Sequence, residues 1–246
     1  MQERNYRTAL YEKYVSVQVP EWAEDSTESS AVWCAAALSR LRGWLPPDKD
    51  TKCLELGCGS GRLLRALRGV GYSDVRGVDL GPQAVGLARS AGFQITQAGL
   101  REYLLESHED FDLIAAFDVI EHCGKDEVLE VLRLIWERLN PGGILILQTP
   151  NALSPWAAPY RYRDLTHELM FSPECMLSTL QLTGFGGIEI REVRPYVHGI
   201  KSAGRRLLWQ LIRPGCALWG FAENGSANGD VYSRNMMVRA IKQGAF

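Results

Sequence analysis

Residues 54–61 read Leu-Glu-Leu-Gly-Cys-Gly-Ser-Gly, and this run constrains the fold more than any other part of the chain. Cys53, Leu54 and Leu56 supply the apolar end of a strand. Gly57, Gly59 and Gly61 follow as a turn almost without side chains, and Arg62-Leu63-Leu64-Arg65-Ala66-Leu67 then carries a helical pattern. A strand that turns on glycines into a helix N-terminus lets a ligand lie against bare backbone. The spacing is G-x-G-x-G, not the G-x-G-x-x-G of a dinucleotide fingerprint. Glu55 stands two residues before the first glycine. An anion there disfavours a pyrophosphate and favours a ligand with a cationic end.

Strand and helix patterns alternate after this run, which predicts a parallel, doubly wound α/β sheet. Strands are expected at Lys52–Leu56, Val75–Asp79, Phe93–Gln97, Phe111–Phe117, Ile144–Thr149, Ile188–Val193 and Asn235–Ile241. Helices are expected at Gly61–Arg68, Pro82–Ser90 and Lys125–Leu139, and another opens at Ser172-Pro173-Glu174 with Ser172 as N-cap. Asn140-Pro141-Gly142-Gly143 reads as a turn. Before the first strand, Tyr6–Val15 and Ser29–Trp44 have helical spacing, and Pro46-Pro47 stops the second.

Asp79 ends the second strand, where a carboxylate can accept hydrogen bonds from ribose hydroxyls, and Leu80 is placed to pack on a purine. Phe117-Asp118-Val119-Ile120-Glu121-His122 follows the fourth strand, at the sheet end where ligands gather. His167 lies in the stretch after the fifth strand, with Tyr160-Arg161-Tyr162-Arg163 just ahead of it. That strip can hold a sugar ring or a phosphate, or be a solvated loop.

These motifs, in this order, resemble the class I S-adenosylmethionine (SAM)-dependent methyltransferases, whose first motif has the form E-x-G-x-G-x-G. Leu139-Asn140-Pro141-Gly142-Gly143 is a further mark of that family, and the matches span residues 50–150. The resemblance implies a Rossmann-like sheet of strand order 3-2-1-4-5-7-6 with an antiparallel last strand, N-terminal helices and a cap insertion. It implies one methyltransferase domain over 1–246: N-terminal helices over 1–50, a SAM-binding core over 51–150, a substrate insertion and cap over 151–222, and a final strand region over 223–246. It gives Glu55, Gly57, Gly59, Gly61, Asp79, Leu80, Ala98, Phe117 and Asp118 to the cofactor. The acid that the family often carries after the third strand is absent here, where the chain reads Gln97-Ala98-Gly99-Leu100.

An oxygen acceptor of high pKa needs a base or a metal for methylation. His122, His167 and Asp118 are the candidate catalytic residues. Asp118, Glu121, His122 and His167 also resemble the ligand set for Mg2+ or Mn2+ in ubiquinone-type and small-RNA methyltransferases. The alternative is that Glu121 caps a loop and His122 packs beneath the cofactor. The sequences around Tyr11 and His167 look like methyltransferases of bacterial polysaccharide and glycolipid synthesis. The expected acceptor is therefore a sugar hydroxyl on a glycan or glycolipid, with a quinone-type phenol as the alternative. RNA 2′-O-methylation, an NAD-dependent oxidoreductase and a binding-only protein are weaker rivals. The net charge of −2 gives no electrostatic grip on nucleic acid, so no nucleic-acid partner is expected.

The six cysteines form no C-x-x-C pair, which fits a reducing cytoplasm better than a structural zinc site. No apolar run is long enough to span a bilayer. Residues 205–221 combine arginines, tryptophans and leucines around Pro214. They read either as a cap helix over the substrate pocket or as a peripheral membrane contact.

Overall fold

The computed structural model describes residues 10–22, 27–225 and 231–243. Expectations for residues 6–9 lie outside the described residues. The alternating apolar runs form one sheet of seven strands: β1 Cys53–Leu56, β2 Val75–Asp79, β3 Gln94–Gln97, β4 Phe111–Phe117, β5 Leu139–Pro150, β6 Phe185–Glu192 and β7 Asn235–Lys242. Their order is β3-β2-β1-β4-β5-β7-β6, and β7 runs antiparallel to both its neighbours.

Successive residues of a strand point to opposite faces, and here both faces are covered. Leu54, Leu56, Val78, Ile114, Leu145 and Val238 face one core, closed by helices Leu100–Glu106, Lys125–Arg138 and Pro173–Leu182. Cys53, Val75, Leu113, Ile146 and Met237 face the other, closed by Arg62–Gly69 and Pro82–Ser90 with Leu41 and Trp44. β1 is buried along its whole length, as a central strand between two helix layers must be. The winding reverses between β1 and β4, so a crevice opens at the carboxyl ends of these strands.

Local chemistry explains the departures from expectation. The Asn140–Gly143 turn exists, but it is an excursion inside β5. Pairing jumps from Phe111↔Leu139 to Leu113↔Ile144, and the side-chain amide of Asn140 donates to Asp112 at 2.7 Å. Gly186-Gly187 lies in β6 at a register shift. Helix Leu100–Glu106 was not expected; seven residues are too few to show a period. Ser172 caps Pro173–Leu182 as expected, its hydroxyl accepting from the Cys175 N–H at 3.1 Å. Helix Ile200–Asn224 continues through Pro214, where the sequence pattern breaks.

All six cysteines are free. Among the described residues no helix is long and apolar enough to cross a membrane.

Candidate active site

The glycine turn is shaped by what lies against it. Gly57 has φ +65°, and a Cβ there would collide with Val119. Gly59 has φ +53°, and the indole of Trp22 fills the space of its missing side chain at 2.6 Å. Asp79 ties the turn to the next strand. One carboxylate oxygen accepts from the Gly59 N–H and the other from the Gly81 N–H, both at 2.8 Å. The acid thus stiffens the loop and keeps lone pairs for a ligand hydroxyl.

Above the turn lies a cavity of about 960 Å³. Glu55, Gly57, Asp79, Leu80, Ala98, Phe117 and Asp118 line it, as the sequence motifs predict. Gly59 and Gly61 do not; they bend the chain behind it, with Gly61 as N-cap of Arg62–Gly69. Tyr11, Tyr14 and Trp22 roof the cavity from the N-terminal segment, and His122, Tyr160, His167 and Arg234 complete its wall, with the Tyr11 ring edge-on to His122.

Three carboxyl groups give this cavity its electrostatics. Glu55 is buried, and its Oε2 has no hydrogen-bond partner. Burial raises its carboxyl well above the usual range, even with the Leu64 backbone N–H donating to it. Burial also raises Asp79, against the two backbone hydrogen bonds that lower it. Asp118 opens on to the cavity while protein encloses it on its other sides. Its Oδ2 accepts from the Gln148 amide at 2.8 Å and its Oδ1 from the Asn235 amide at 3.0 Å. Burial pushes it up to about 6, despite the Gln148 hydrogen bond and the charges of Arg234 and Arg40. It is also the one described non-glycine residue with positive φ, at +54°. Glu55 with its unpartnered oxygen, and Asp79 and Asp118 with lone pairs to spare, make a wall that suits a cationic guest.

The second chemical group is Glu121, His122 and His167, whose ligand atoms all lie within 4.8 Å of one another. Glu121 is fully buried; Thr149 donates to its Oε2 at 3.2 Å, while its Oε1 has no partner. His122 Nδ1 lies 3.1 Å from the Thr166 carbonyl oxygen. A carbonyl only accepts, so Nδ1 carries the hydrogen and Nε2 keeps its lone pair. Burial, and after it the neighbouring His167, lower His122 to about 4. His167 is lowered too, chiefly by burial, and its Nδ1 has no partner. Both rings are therefore neutral, their centroids 5.0 Å apart. Asp118 lies outside this cluster, its oxygens accepting from Gln148 and Asn235. The structure thus brings together three of the four residues in the expected metal-ligand set, Glu121, His122 and His167.

The residues of the insertion and of the helix after β6 divide clearly. Tyr160 and Arg163 line the cavity, and the Arg234 guanidinium sits 4.7 Å from the centre of the Tyr160 ring. Tyr162 and Trp156 are exposed and line nothing there. Asn151 is a buried structural amide, donating to the carbonyls of Val231 and Ser233. Among the described residues, none of helix Ile200–Asn224 lines the cavity, where one of the two sequence readings puts it. Trp22, Gln148, Arg234 and Asn235 were not singled out from the sequence. They reach the site across long sequence separations, and only the adjacency of β5 and β7 carries any hint of them.

Residues 29–190 match a family model described as a methyltransferase domain. The ubiquinone biosynthesis O-methyltransferase of Azorhizobium caulinodans is 37% identical over 112 residues, 44% of this chain and 43% of the relative. That of Sinorhizobium fredii is 30% identical over 154 residues, 56% of this chain and 61% of the relative. The matches therefore span about half the length of these curated relatives. Among solved structures, a SAM-dependent methyltransferase from Archaeoglobus fulgidus superposes with a TM-score of 0.62 at 19% identity, covering 85% of this chain and 94% of that one. The phosphoethanolamine N-methyltransferase 2 of Haemonchus contortus, in complex with S-adenosyl-L-methionine, gives 0.63 at 17% identity, covering 95% and 60%.

Proposed function

Because this chain belongs to the methyltransferase-domain family and is a class I SAM-dependent methyltransferase, we propose that its acceptor is a hydroxyl of a small quinone-type phenol. The sugar-hydroxyl expectation gives way to this reading. Relatives named for ubiquinone biosynthesis support the phenol, and the histidine wall supports an oxygen nucleophile.

The residues fit the cofactor. SAM supplies a methyl group on a sulfonium, already activated for in-line displacement. Glu55, with its unpartnered buried oxygen, suits the ammonium end, and Asp79 suits the ribose. Leu80 and Ala98 suit the adenine, and Phe117 and Asp118 the methionine end. The main task left to the protein is to align an acceptor oxygen with the methyl group.

The observation that carries the acceptor reading is the group Glu121, His122 and His167, whose ligand atoms lie within 4.8 Å of one another, with Glu121 Oε1 and His167 Nδ1 left without hydrogen-bond partners. Magnitudes then decide between a base and a metal. A phenol titrates near pH 10, while burial holds His122 at about 4. Moving a proton across roughly six units costs about 8 kcal/mol, so this imidazole alone is a poor base for a phenol. A neutral imidazole is, however, what a metal ligand requires. Glu121, His122 and His167 offer one carboxylate and two ring nitrogens, a set that suits Mn2+ or Zn2+ better than Mg2+. A divalent ion held there would supply Lewis acidity to an acceptor oxygen. Thr166, by fixing the Nδ1–H of His122, orients the ring for that role. Arg163 and Arg234 suit an acidic group on the acceptor.

The test is product analysis after incubation with SAM and 3,4-dihydroxybenzoate, or with a sugar diol, before and after EDTA and Mn2+. Methyl on the catechol oxygen, lost with EDTA and restored by Mn2+, is expected. Methyl on the sugar alone would overturn the phenol reading, and catechol methylation indifferent to EDTA would overturn the metal.

A further inference from the structure

Asp118 is held in place from behind the cavity wall. Its φ of +54° lies in the left-handed region, which a residue with a Cβ keeps only where its surroundings over-determine it. Three hydrogen bonds do so. The Asp118 N–H donates to the Gln148 carbonyl oxygen at 2.8 Å. The side-chain amides of Gln148 and Asn235 donate to Oδ2 and Oδ1, one to each oxygen, at 2.8 Å and 3.0 Å. Both amide residues are buried, and neither lines the cavity. Their route to a ligand is through Asp118, which does line it, and for Asn235 also past the Tyr160 hydroxyl beside it.

Strand order explains how three distant residues meet. Asp118 follows β4, Gln148 lies near the end of β5, and Asn235 opens β7. Because β7 is antiparallel to β5, it begins where β5 ends, and Asn235 stands opposite Pro150. Its approach is fixed as well. The buried Asn151 amide donates to the Val231 and Ser233 carbonyls, and the Ser233 hydroxyl donates to the carbonyl of Asn235 at 2.7 Å. Successive residues of β5 serve the two chemical groups of the cavity separately. Gln148 donates to Asp118, and Thr149 donates to Glu121.

The use of two amides carries a penalty that points to its purpose. Gln148 Oε1 and Asn235 Oδ1 are buried with no hydrogen-bond partner. Turning either amide over would set an oxygen against the carboxylate instead. A buried orphan acceptor is unfavourable, so the arrangement serves the bonds to Asp118. A neutral amide also fixes a carboxylate without cancelling its charge, as a guanidinium in contact would. Arg40 and Arg234 act on Asp118 only through space, with no ion pair to it among the described residues. The carboxylate therefore meets the cavity fixed in direction, with a lone pair left on each oxygen.

We propose that Gln148 and Asn235 are positioning residues for the cofactor: from β5 and β7 their amides aim the Asp118 carboxylate at the ammonium group of SAM. This role rests on the cofactor alone and is independent of the class of acceptor. It gives the last strand, far from the glycine turn in sequence, a share in holding the methionine end. Glu55 and Asp118 then divide the ammonium between them, and the fixed direction of Asp118 sets where that group sits.

The experiment is calorimetric titration of the full chain with two ligands, S-adenosylhomocysteine and 5′-methylthioadenosine. The second keeps the adenosine and the thioether but lacks the ammonium and carboxylate. The wild type should prefer S-adenosylhomocysteine. Gln148→Met and Asn235→Leu, both close to the native volumes, should each lose roughly five- to tenfold of that preference, with affinity for 5′-methylthioadenosine changed less than about twofold. Binding of 5′-methylthioadenosine thus reports an intact cavity. In an Asp118→Asn chain, Asn235→Leu should cost nothing further, because the group it aims is gone. Equal losses with both ligands would make the amides structural and overturn the proposal. A wild type without preference, or variants that keep the full preference, overturn it too. A further loss beyond that of Asp118→Asn assigns Asn235 to Tyr160 and overturns its role. Should Asn235→Leu bind neither ligand, Gln148→Met decides by the same criteria.

Discussion

The Tyr14 hydroxyl donates a hydrogen bond to Asp164 at 2.9 Å, closing the roof of the cavity across 150 residues of sequence. Tyr14 belongs to the segment before β1, and Asp164 to the insertion after β5. Burial alone would raise Asp164, but hydrogen bonds from Thr166 and Tyr14 hold its carboxyl below the usual range. The same insertion holds His122 through the Thr166 carbonyl. Roof, insertion and histidine wall are therefore one connected unit.

Tyr14→Phe tests this connection. The loss of one hydrogen bond to a charged acceptor is worth about 1.5 kcal/mol, or roughly tenfold in an equilibrium constant. Calorimetric titration with S-adenosylhomocysteine should show affinity down by about that factor, with little change in melting temperature. Unchanged affinity would mean that the roof does not hold the ligand.

Gly77 provides a packing test beneath the glycine turn. A Cβ there would lie 2.6 Å from Cys58 Sγ and 2.8 Å from Ile95 Cδ1. Gly77→Ala should cost about 1–3 kcal/mol in urea unfolding, the range for overpacking a tight core. Because Cys58 is the neighbour that collides, Cys58→Ala in the same chain should return part of the loss. Simple addition of the two penalties would argue against this contact.

Cofactor affinity should depend on pH through Asp118. Desolvation by the protein around it pushes the Asp118 carboxyl up to about 6, so in the free protein it becomes neutral as pH falls below that value. A ligand bearing an ammonium group then loses part of its attraction. Affinity for S-adenosylhomocysteine should fall from pH 7.5 to pH 5, with Glu55, also raised by burial, acting in the same direction. Asp118→Asn should flatten the profile. The sign for the unliganded fold is opposite. A carboxyl raised on folding contributes stability below its unfolded pKa and loses it as pH rises through about 6.

His122 should remain neutral where an ordinary histidine is half protonated. Its ring is held at about 4 by burial and by His167. Nitrogen-15 imidazole spectra at pH 5.5 should show the tautomer with hydrogen on Nδ1. Added Zn2+ should shift the His122 and His167 signals together, and Glu121→Gln should weaken that response at least tenfold. A protonated His122 at pH 5.5 would contradict the buried geometry.

The sheet was legible in the sequence because its strands are apolar runs punctuated by glycine and proline, as at Val75–Asp79 and Pro82. The cofactor floor was legible for the same reason: Glu55, Gly57 and Asp79 are close in sequence to the turn they build. The rest depends on long-range contact. Asn235 reaches Asp118 across 117 residues, so the amides that hold this carboxylate leave no mark in the local sequence. Trp22 over Gly59 leaves no periodic trace. Helix Ile200–Asn224 was obscured by Pro214, whose missing N–H disturbs the pattern more than the backbone.

The most direct test of the oxygen-acceptor site is single-turnover methyl transfer from labelled SAM to 3,4-dihydroxybenzoate by wild type and His122→Ala. Transfer by the wild type, at least a hundredfold slower in the variant with S-adenosylhomocysteine affinity unchanged, is the predicted result. Equal transfer rates in the two proteins, or no catechol methylation by a wild type that binds the cofactor normally, would contradict it.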